Sequence, residues 1–398
     1  MMSFFVCFSV LLLTPPGFAA AGSGVVSEPD VQWVGEARIA GTVRDLSGEE
    51  LVLENGEAVN RVGGFSALDY SGKDNLYAAM ADRGPDDGAV SYPCRVQMLE
   101  IQIDPKAETK VSTKLVRTVP FTDATGRPLT GKSIYLEPTD KLGHRFDPEG
   151  FRFAPDGSYF VSDEYGPEII RFDPNGKEVQ RYCVPKYFRV TVPSGDRVEE
   201  NVKNKVGRAS NRGLECIAIS HDGKHLIALM QGPLLQDSTV DETGKAIGTF
   251  CRLIRLPIDG GAIEEYVYPL DSSSNGNSEI LTVDANRFLV IERDSVPGEP
   301  SGYRRIVLCD LSSATNIASM ETLPKNLQES TVRPVSKSTF IDLLDPKWGL
   351  KGADMPEKIE GLTFGPMLDG NRRSLLMSID NDFESAADSR IWVFSVKF

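Results

Sequence analysis

Residues 149–177 read EGFRFAPDGSYFVSDEYGPEIIRFDPNGK. Two β-forming runs, Gly150–Phe153 and Tyr159–Val161, flank the dipeptide Asp156-Gly157, and a further turn follows at Asp173-Pro174-Asn175-Gly176. Asp-Gly and Asn-Gly supply the positive φ that tight hairpins need. The pattern recurs. ECIAISHDGKHLIALMQGP begins at Glu215, 66 residues later, and aligns without a gap. EILTVDANRFLVIERDS begins at Glu279, with a turn one residue shorter, and EGLTFGPMLDGNRRSLLMSIDND begins at Glu360 with a longer one. A weaker copy, GFSALDYSGKDNLYAAMADRG, begins at Gly64 and lacks the acid.

Hairpins at intervals of 64 residues (Glu215 to Glu279) to 85 residues (Gly64 to Glu149) predict an all-β array. A single β-propeller fits best, because each four-stranded blade packs its faces against its neighbours. Five repeat units are visible. The intervals exceed a minimal blade of about 40–50 residues, so we favour about six blades, with five or seven also fitting. Residues 104–146, 184–210 and 321–357 then hold insertions or an unmarked blade. The second of these contains SGDRVEENVKNKVGR, which reads as an exposed loop. Strand-like stretches in Val31–Asn60 are placed to pair with Ile391–Phe394 and close the ring. Two packed antiparallel sheet domains are the other arrangement.

The 398 residues are 40% hydrophobic and 25% charged, an ordinary globular composition. Lys and Arg number 43 against 57 Asp and Glu, a formal charge of −14. That balance argues against a nucleic-acid or anionic-membrane binder, since phosphate backbones attract basic faces. Residues 1–21 carry no charge and contain the apolar run Phe4–Leu13, then Pro15, Pro16 and Ala19–Ala21. This reads as a secretory signal, leaving residues 22–398 as an exported domain, periplasmic or extracellular. No later stretch is long enough to span a membrane, and the chain is expected to act as a monomer. Removal of Cys7 leaves Cys94, Cys183, Cys216, Cys251 and Cys309. An odd count leaves at least one thiol unpaired within the chain, and none belongs to a C-x-x-C motif.

In a propeller the first strand of each blade lines the central channel. Glu149, Glu215, Glu279 and Glu360 begin such strands and are expected to converge at one mouth. Carboxylates at short range raise one another's pKa, and a divalent cation is the simplest compensation. Oxygen ligands suit Ca²⁺ or a similar ion. The ends of the second strands add Asp82, Asp163, Glu164, Glu292, Asp380 and Asp382, with Asn211 and Asn381 as neutral oxygens. Arg83, Arg212 and Arg293 stand beside these acids, able to hold an anionic group or to neutralise the acids. His144 is the candidate general base of its type, since His221 and His225 flank a turn. Gly64-Phe65-Ser66-Ala67-Leu68 fails as a nucleophile elbow, and no phosphate-binding Gly loop is present.

These segments resemble the phytase-like, "esterase-like activity of phytase" family of exported β-propellers. The resemblance rests on GFSALDY (64–70), FDPEGFRFAPDG (146–157), SDEYGPEIIRFDPNGK (162–177), NRGLECIAISHDGK (211–224), PLLQD (233–237), RFLVIERDS (287–295), IEGLTFGP (359–366) and SIDNDF (378–383). It runs from about residue 60 to 398. One departure is Glu215-Cys216, where the family usually has Glu-Gly. The resemblance implies hydrolysis of ester or phosphoester bonds. It also looks toward calcium-dependent propeller phytases and lactonases, with acids and metal at the channel, here Glu149, Glu215, Glu279 and Glu360.

Two functions follow as expectations. The first is a metal-assisted hydrolase of a small ester or phosphoester. Its catalytic residues are Glu149, Glu215, His144 and Arg212, its substrate ligands are Arg83 and Arg293, and its metal ligands are Glu149, Glu215, Glu279, Glu360, Asp82 and Asp380. The second is a non-catalytic propeller that binds a small ligand or a protein partner.

Overall fold

The computed structural model describes residues 29–133, 145–350, 352 and 354–398. The start read as a signal (residues 1–21) and His144 lie outside the described residues. Five antiparallel sheets of four strands each account for nearly all the regular structure, alongside one small two-stranded ribbon. The first blade is built from Phe65–Tyr70, Leu76–Ala81, Arg95–Ile103 and Val111–Pro120. The second uses Pro148–Phe153, Tyr159–Asp163, Glu168–Phe172 and Glu178–Cys183. The third uses Leu214–Ile219, His225–Met230, Phe250–Pro257 and Glu264–Pro269, and the fourth Gly276–Thr282, Arg287–Arg293, Arg304–Asp310 and Ser336–Asp342. The innermost strands touch one another in a closed cycle, which makes the array a propeller. Each visible repeat unit is one blade, so the count is five, at the low end of the range the intervals allowed.

The fifth blade is composite. Ile359–Asp369, Arg372–Ile379 and Ser389–Lys397 come from the C-terminal end, and Asp30–Ile39 adds the outer strand. Its register pairs Val31 with Val396 and Ala37 with Ile391, as the strand-like composition of both stretches suggested. Trp33 packs edge-on against Phe394 at 5.0 Å and Trp392 at 6.1 Å. Apolar side chains fill the wedges between blades. Between the first and second blades Phe121 meets Phe172 at 4.6 Å and Tyr159 at 6.1 Å. The five cysteines of residues 29–398 are free thiols, four buried and Cys183 exposed.

The polar insertion at 194–208 is not a plain exposed loop. Arg197–Lys203 forms a short helix, capped by Asp196 accepting from the Glu199 N–H at 2.8 Å. Glu200 on this helix is fully buried because Arg208 donates to it at 2.6 Å. An acid one turn from the cap and a buried arginine partner thus turn a hydrophilic stretch into an ordered wall.

Candidate functional site: the channel mouth

Every innermost strand begins with a β-bulge. The register slips at Phe65/Ala67, Pro148/Phe151, Leu214/Cys216, Asn277/Glu279 and Ile359/Leu362. A bulge adds one residue, bends the strand and re-aims the extra side chain. The residues at these bulges are Ser66, Glu149, Glu215, Ser278 and Glu360, and all five line one cavity of about 730 Å³ at the channel mouth. Three acids and two hydroxyls therefore converge there.

Glu279 is the exception among the four expected acids. The pairing of Asn277 with Glu292 and Glu279 with Ile291 puts Ser278, not Glu279, at the bulge. A one-residue offset sends a strand side chain the other way. Glu279 lies deeper, fully buried, 3.0 Å from Arg152 and accepting from the Ile280 N–H at 2.9 Å. Arg152 also donates to the carbonyls of Phe151 (2.6 Å), Ile280 (2.7 Å) and Leu362 (3.3 Å). With the Ile217 N–H reaching Glu279 at 3.4 Å, Arg152 and Glu279 tie four blades together.

The remaining acids divide by their partners. Asp82 lines the cavity and accepts from the Gly84 N–H at 2.9 Å. Asp380 sits behind the wall, 3.1 Å from Lys358. Glu292 is turned away between blades, bound by Lys337 at 2.6 Å and the Tyr268 hydroxyl at 3.0 Å. Asp163 accepts three backbone N–H groups and faces another pocket. Asp147 precedes the bulge of the second blade, and its carboxyl forms a tight group with Glu149 and Glu164, oxygens within 4.8 Å of one another. Arg83 reaches all three, bonding Asp147 and lying 3.3 Å from Glu164 and 3.7 Å from Glu149. Its other donors go to Asp87 and Asn211. Arg293 is likewise occupied, by Glu360 at 2.6 Å and the Ser278 hydroxyl at 3.0 Å.

Two carboxyls keep open oxygens. No residue among those described donates a hydrogen bond to Glu149. Glu215 accepts from Gln231 Nε2 at 2.8 Å through one oxygen, and its Oε2 has no partner. Burial pushes Glu149 well above the usual carboxylate range, with Glu215 the next cause. Burial also lifts Glu215, with Glu164 and Glu360 adding to it. Asp82 is pushed up by burial, against the pull of Lys358 and Arg83. All-oxygen donors with unsatisfied lone pairs are what a hard divalent cation requires.

Arg212 is the cavity's under-used cation. It donates to the Asn275 carbonyl, its Nε has no acceptor, and burial lowers its pKa. Gly232 and Gly276 make room for it, since a Cβ on Gly232 would lie 2.8 Å from Nε and one on Gly276 3.1 Å from the guanidinium. Backbone strain gathers at the same mouth. Asp86, Asp87, Asn211, Asp382 and Phe383 all have φ between 50° and 55° and all line the cavity. Such residues cost on the order of 1–3 kcal/mol each and cluster at functional sites. Asn381 braces the last pair, accepting from the Gly64 N–H at 3.1 Å and donating to the Ala387 carbonyl at 2.9 Å.

Lys358, Gln231, Ser278 and Asp147 are site residues that the repeat did not single out. Only Asp147 carried a signal, its place in the DPEG stretch.

An uncharacterized secreted protein of Arthroderma benhamiae is 26% identical, over 66% of this chain and 66% of that protein, just under two thirds of its length. Among solved structures, the major allergen Mala s 1 of Malassezia sympodialis matches with a TM-score of 0.38 at 11% identity, covering 85% of this chain and 79% of that one. An arabinoxylan arabinofuranohydrolase from Bacillus subtilis matches with a TM-score of 0.40 at 11% identity, covering 89% and 66%. The match to a family described as "Phytase-like: Esterase-like activity of phytase" spans residues 60–383, the five blades almost entire, and the chain belongs to that family.

Proposed function

We propose that this propeller is an exported hydrolase that binds a divalent cation of the Ca²⁺ type at its channel mouth and cleaves an anionic ester or phosphoester. The observation that carries the reading is the pair Glu149 and Glu215, both buried, both raised and both open to one cavity. Leaving such groups unpaired is expensive. The relative's description as secreted and the uncharged apolar start support export. A bound cation of this kind supplies Lewis acidity and a water of lowered pKa.

The chain's own groups supply the rest. Glu149 in its ionised form, a stronger base for its raised pKa, takes a proton from water as the water oxygen bonds to the ester carbon or phosphorus; the bond to the leaving oxygen breaks, and Glu149 returns the proton to that oxygen. Arg212 Nε–H donates to the substrate oxygen on which negative charge develops. Ser66 and Ser278 present hydroxyls to the bound group.

An activity panel of phosphomonoesters, phosphodiesters, carboxyl esters and lactones, with and without chelator, tests this. Chelator-sensitive turnover on at least one class is expected, and Glu149→Gln should lower kcat/KM by about 10²-fold or more, the range for a lost general base. Absence of chelator-sensitive turnover on every class sinks the proposal. Gly232→Ala probes Arg212 indirectly. The new methyl displaces the guanidinium, so KM for the best substrate should rise about tenfold, matching one lost charge-assisted hydrogen bond. An unchanged KM would remove Arg212 from the site.

A second reading, ligand binding without turnover, draws on Arg83. Its guanidinium sits among Asp147, Glu149 and Glu164 and compensates that group without a metal. Calorimetric titration with Ca²⁺ separates the two, since this reading expects no heat of binding.

A further inference from the structure

A second cavity of about 560 Å³ lies at the side of the second blade. Four arginines face it: Arg127, Arg145, Arg181 and Arg189. Three have acidic partners, Arg127 with Asp123 at 2.7 Å, Arg181 with Glu178 at 2.7 Å and Arg189 with Glu168 at 3.2 Å. Arg145 has none among the described residues. It is only 8% exposed and its Nε lacks an acceptor. Its guanidinium lies over the Tyr165 ring at 3.9 Å.

The two acids nearest in charge terms are already committed. Asp163 accepts from the backbone N–H groups of Asp147 (3.0 Å), Tyr165 (3.2 Å) and Gly166 (3.1 Å). Glu200 is held by Arg208 at 2.6 Å and the Ser194 N–H at 2.9 Å. A guanidinium cannot shed its proton to escape burial. Stacking on an aromatic ring satisfies its face, but its N–H donors lie in its plane and remain to be used. A planar fork of donors held rigid beside a cavity matches the two oxygens of a carboxylate or phosphate. The cavity falls within the size range of small-molecule sites, about 300–1,000 Å³.

We propose that Arg145 anchors a second ligand site on this protein, in the cavity at the side of the second blade, that takes the oxyanion of a small molecule. Tyr165 fixes the guanidinium from one side, and its own hydroxyl is held by the Gly131 carbonyl at 2.7 Å, so the stack is preset. The proposal does not depend on the channel's chemistry.

Phenylglyoxal modification of arginines in the mature wild-type protein, mapped by peptide mass spectrometry, tests it directly. Inorganic phosphate and acetate are the two probes, and the stronger protector identifies the preferred oxyanion. Either probe is expected to slow modification of Arg145 about tenfold or more, equivalent to one charge-assisted pair. Calorimetry in an Arg212→Gln background removes the channel's own anion affinity. There Arg145→Gln should weaken phosphate or acetate binding at least about tenfold, and Arg145→Lys by less. An unprotected Arg145, or Arg145→Gln binding as tightly as its background, overturns the site. If Arg145→Gln does not fold, protection of the wild type decides alone. Loss of channel turnover with intact Arg145 protection would sink the hydrolase reading and leave this one standing.

Discussion

Arg152→Met is expected to destabilise the protein by about 3–5 kcal/mol, the usual cost of stripping one partner from a buried ion pair. Arg152 reaches Glu279 and the Ile280 and Leu362 carbonyls on two other blades, besides the adjacent Phe151 carbonyl. Removing it leaves Glu279 buried without its cation and the carbonyls without donors. Arg152→Met combined with Glu279→Met should recover part of the loss, because the stranded carboxyl is gone. Recovery should be incomplete, since the carbonyls stay unpaired. Urea melts of both variants and the wild type measure this. A single mutant within about 1 kcal/mol of wild type would show that this ion pair contributes little.

The second large effect concerns pH. Asp147 is pushed up to about 7 by burial, and Glu149, Glu215 and Asp82 are also raised, burial first in each case. A carboxyl raised in the folded state binds its proton more tightly there than in the unfolded chain. Its contribution is full below the unfolded values near 3.8 and 4.5, and is lost as pH climbs through the folded value. Without divalent cations, stability should therefore fall from about pH 4.5 to above pH 7, by about 1.4 kcal/mol for each unit of raised pKa. Bound Ca²⁺ holds the carboxylates ionised and should reverse that slope. At a hundredfold excess over its Kd it adds about 2.7 kcal/mol. Thermal melts in chelator and in Ca²⁺ across this range provide the check. A chelated protein whose Tm stays level, or a Ca²⁺ addition at about pH 8 that shifts nothing, would contradict the expectation.

The repeat made the propeller readable, because Asp-Gly turns and alternating strands report directly on hairpins. It also pointed to the mouth through Glu149, Glu215 and Glu360. It failed at Glu279 for a geometric reason. Aligning letters assumes that equal residues hold equal positions, whereas the bulge register sets which side chain turns into the channel. Ser278 fills the equivalent place, and Ser66 does so in the copy that lacked an acid. Arg83 and Arg293 stood beside acids in sequence, yet their partners come from elsewhere: Asp147 lies 64 residues from Arg83 and Glu360 lies 67 from Arg293. Distances of that kind are set by ring closure, which no local pattern encodes. Lys358 and Gln231 instead bind acids of their own blades, Asp380 lying 22 residues from Lys358 and Glu215 lying 16 from Gln231.

The fifth blade carries a consequence for the protein's life before it is folded. Asp30 pairs with Lys397, so the outermost ladder joins the two ends of the described chain. Contacts so distant in sequence make closure slow relative to hairpin formation. Four blades can assemble in the order in which they leave the ribosome or a translocon. The Asp30–Ile39 segment must wait, its hydrogen-bonding edge unsatisfied, until Ser389–Lys397 arrives. An unpaired edge strand is a template for pairing with other chains. This latch is thus the point at which a newly made molecule is most exposed to aggregation, and the strand made first is the last to find its partner.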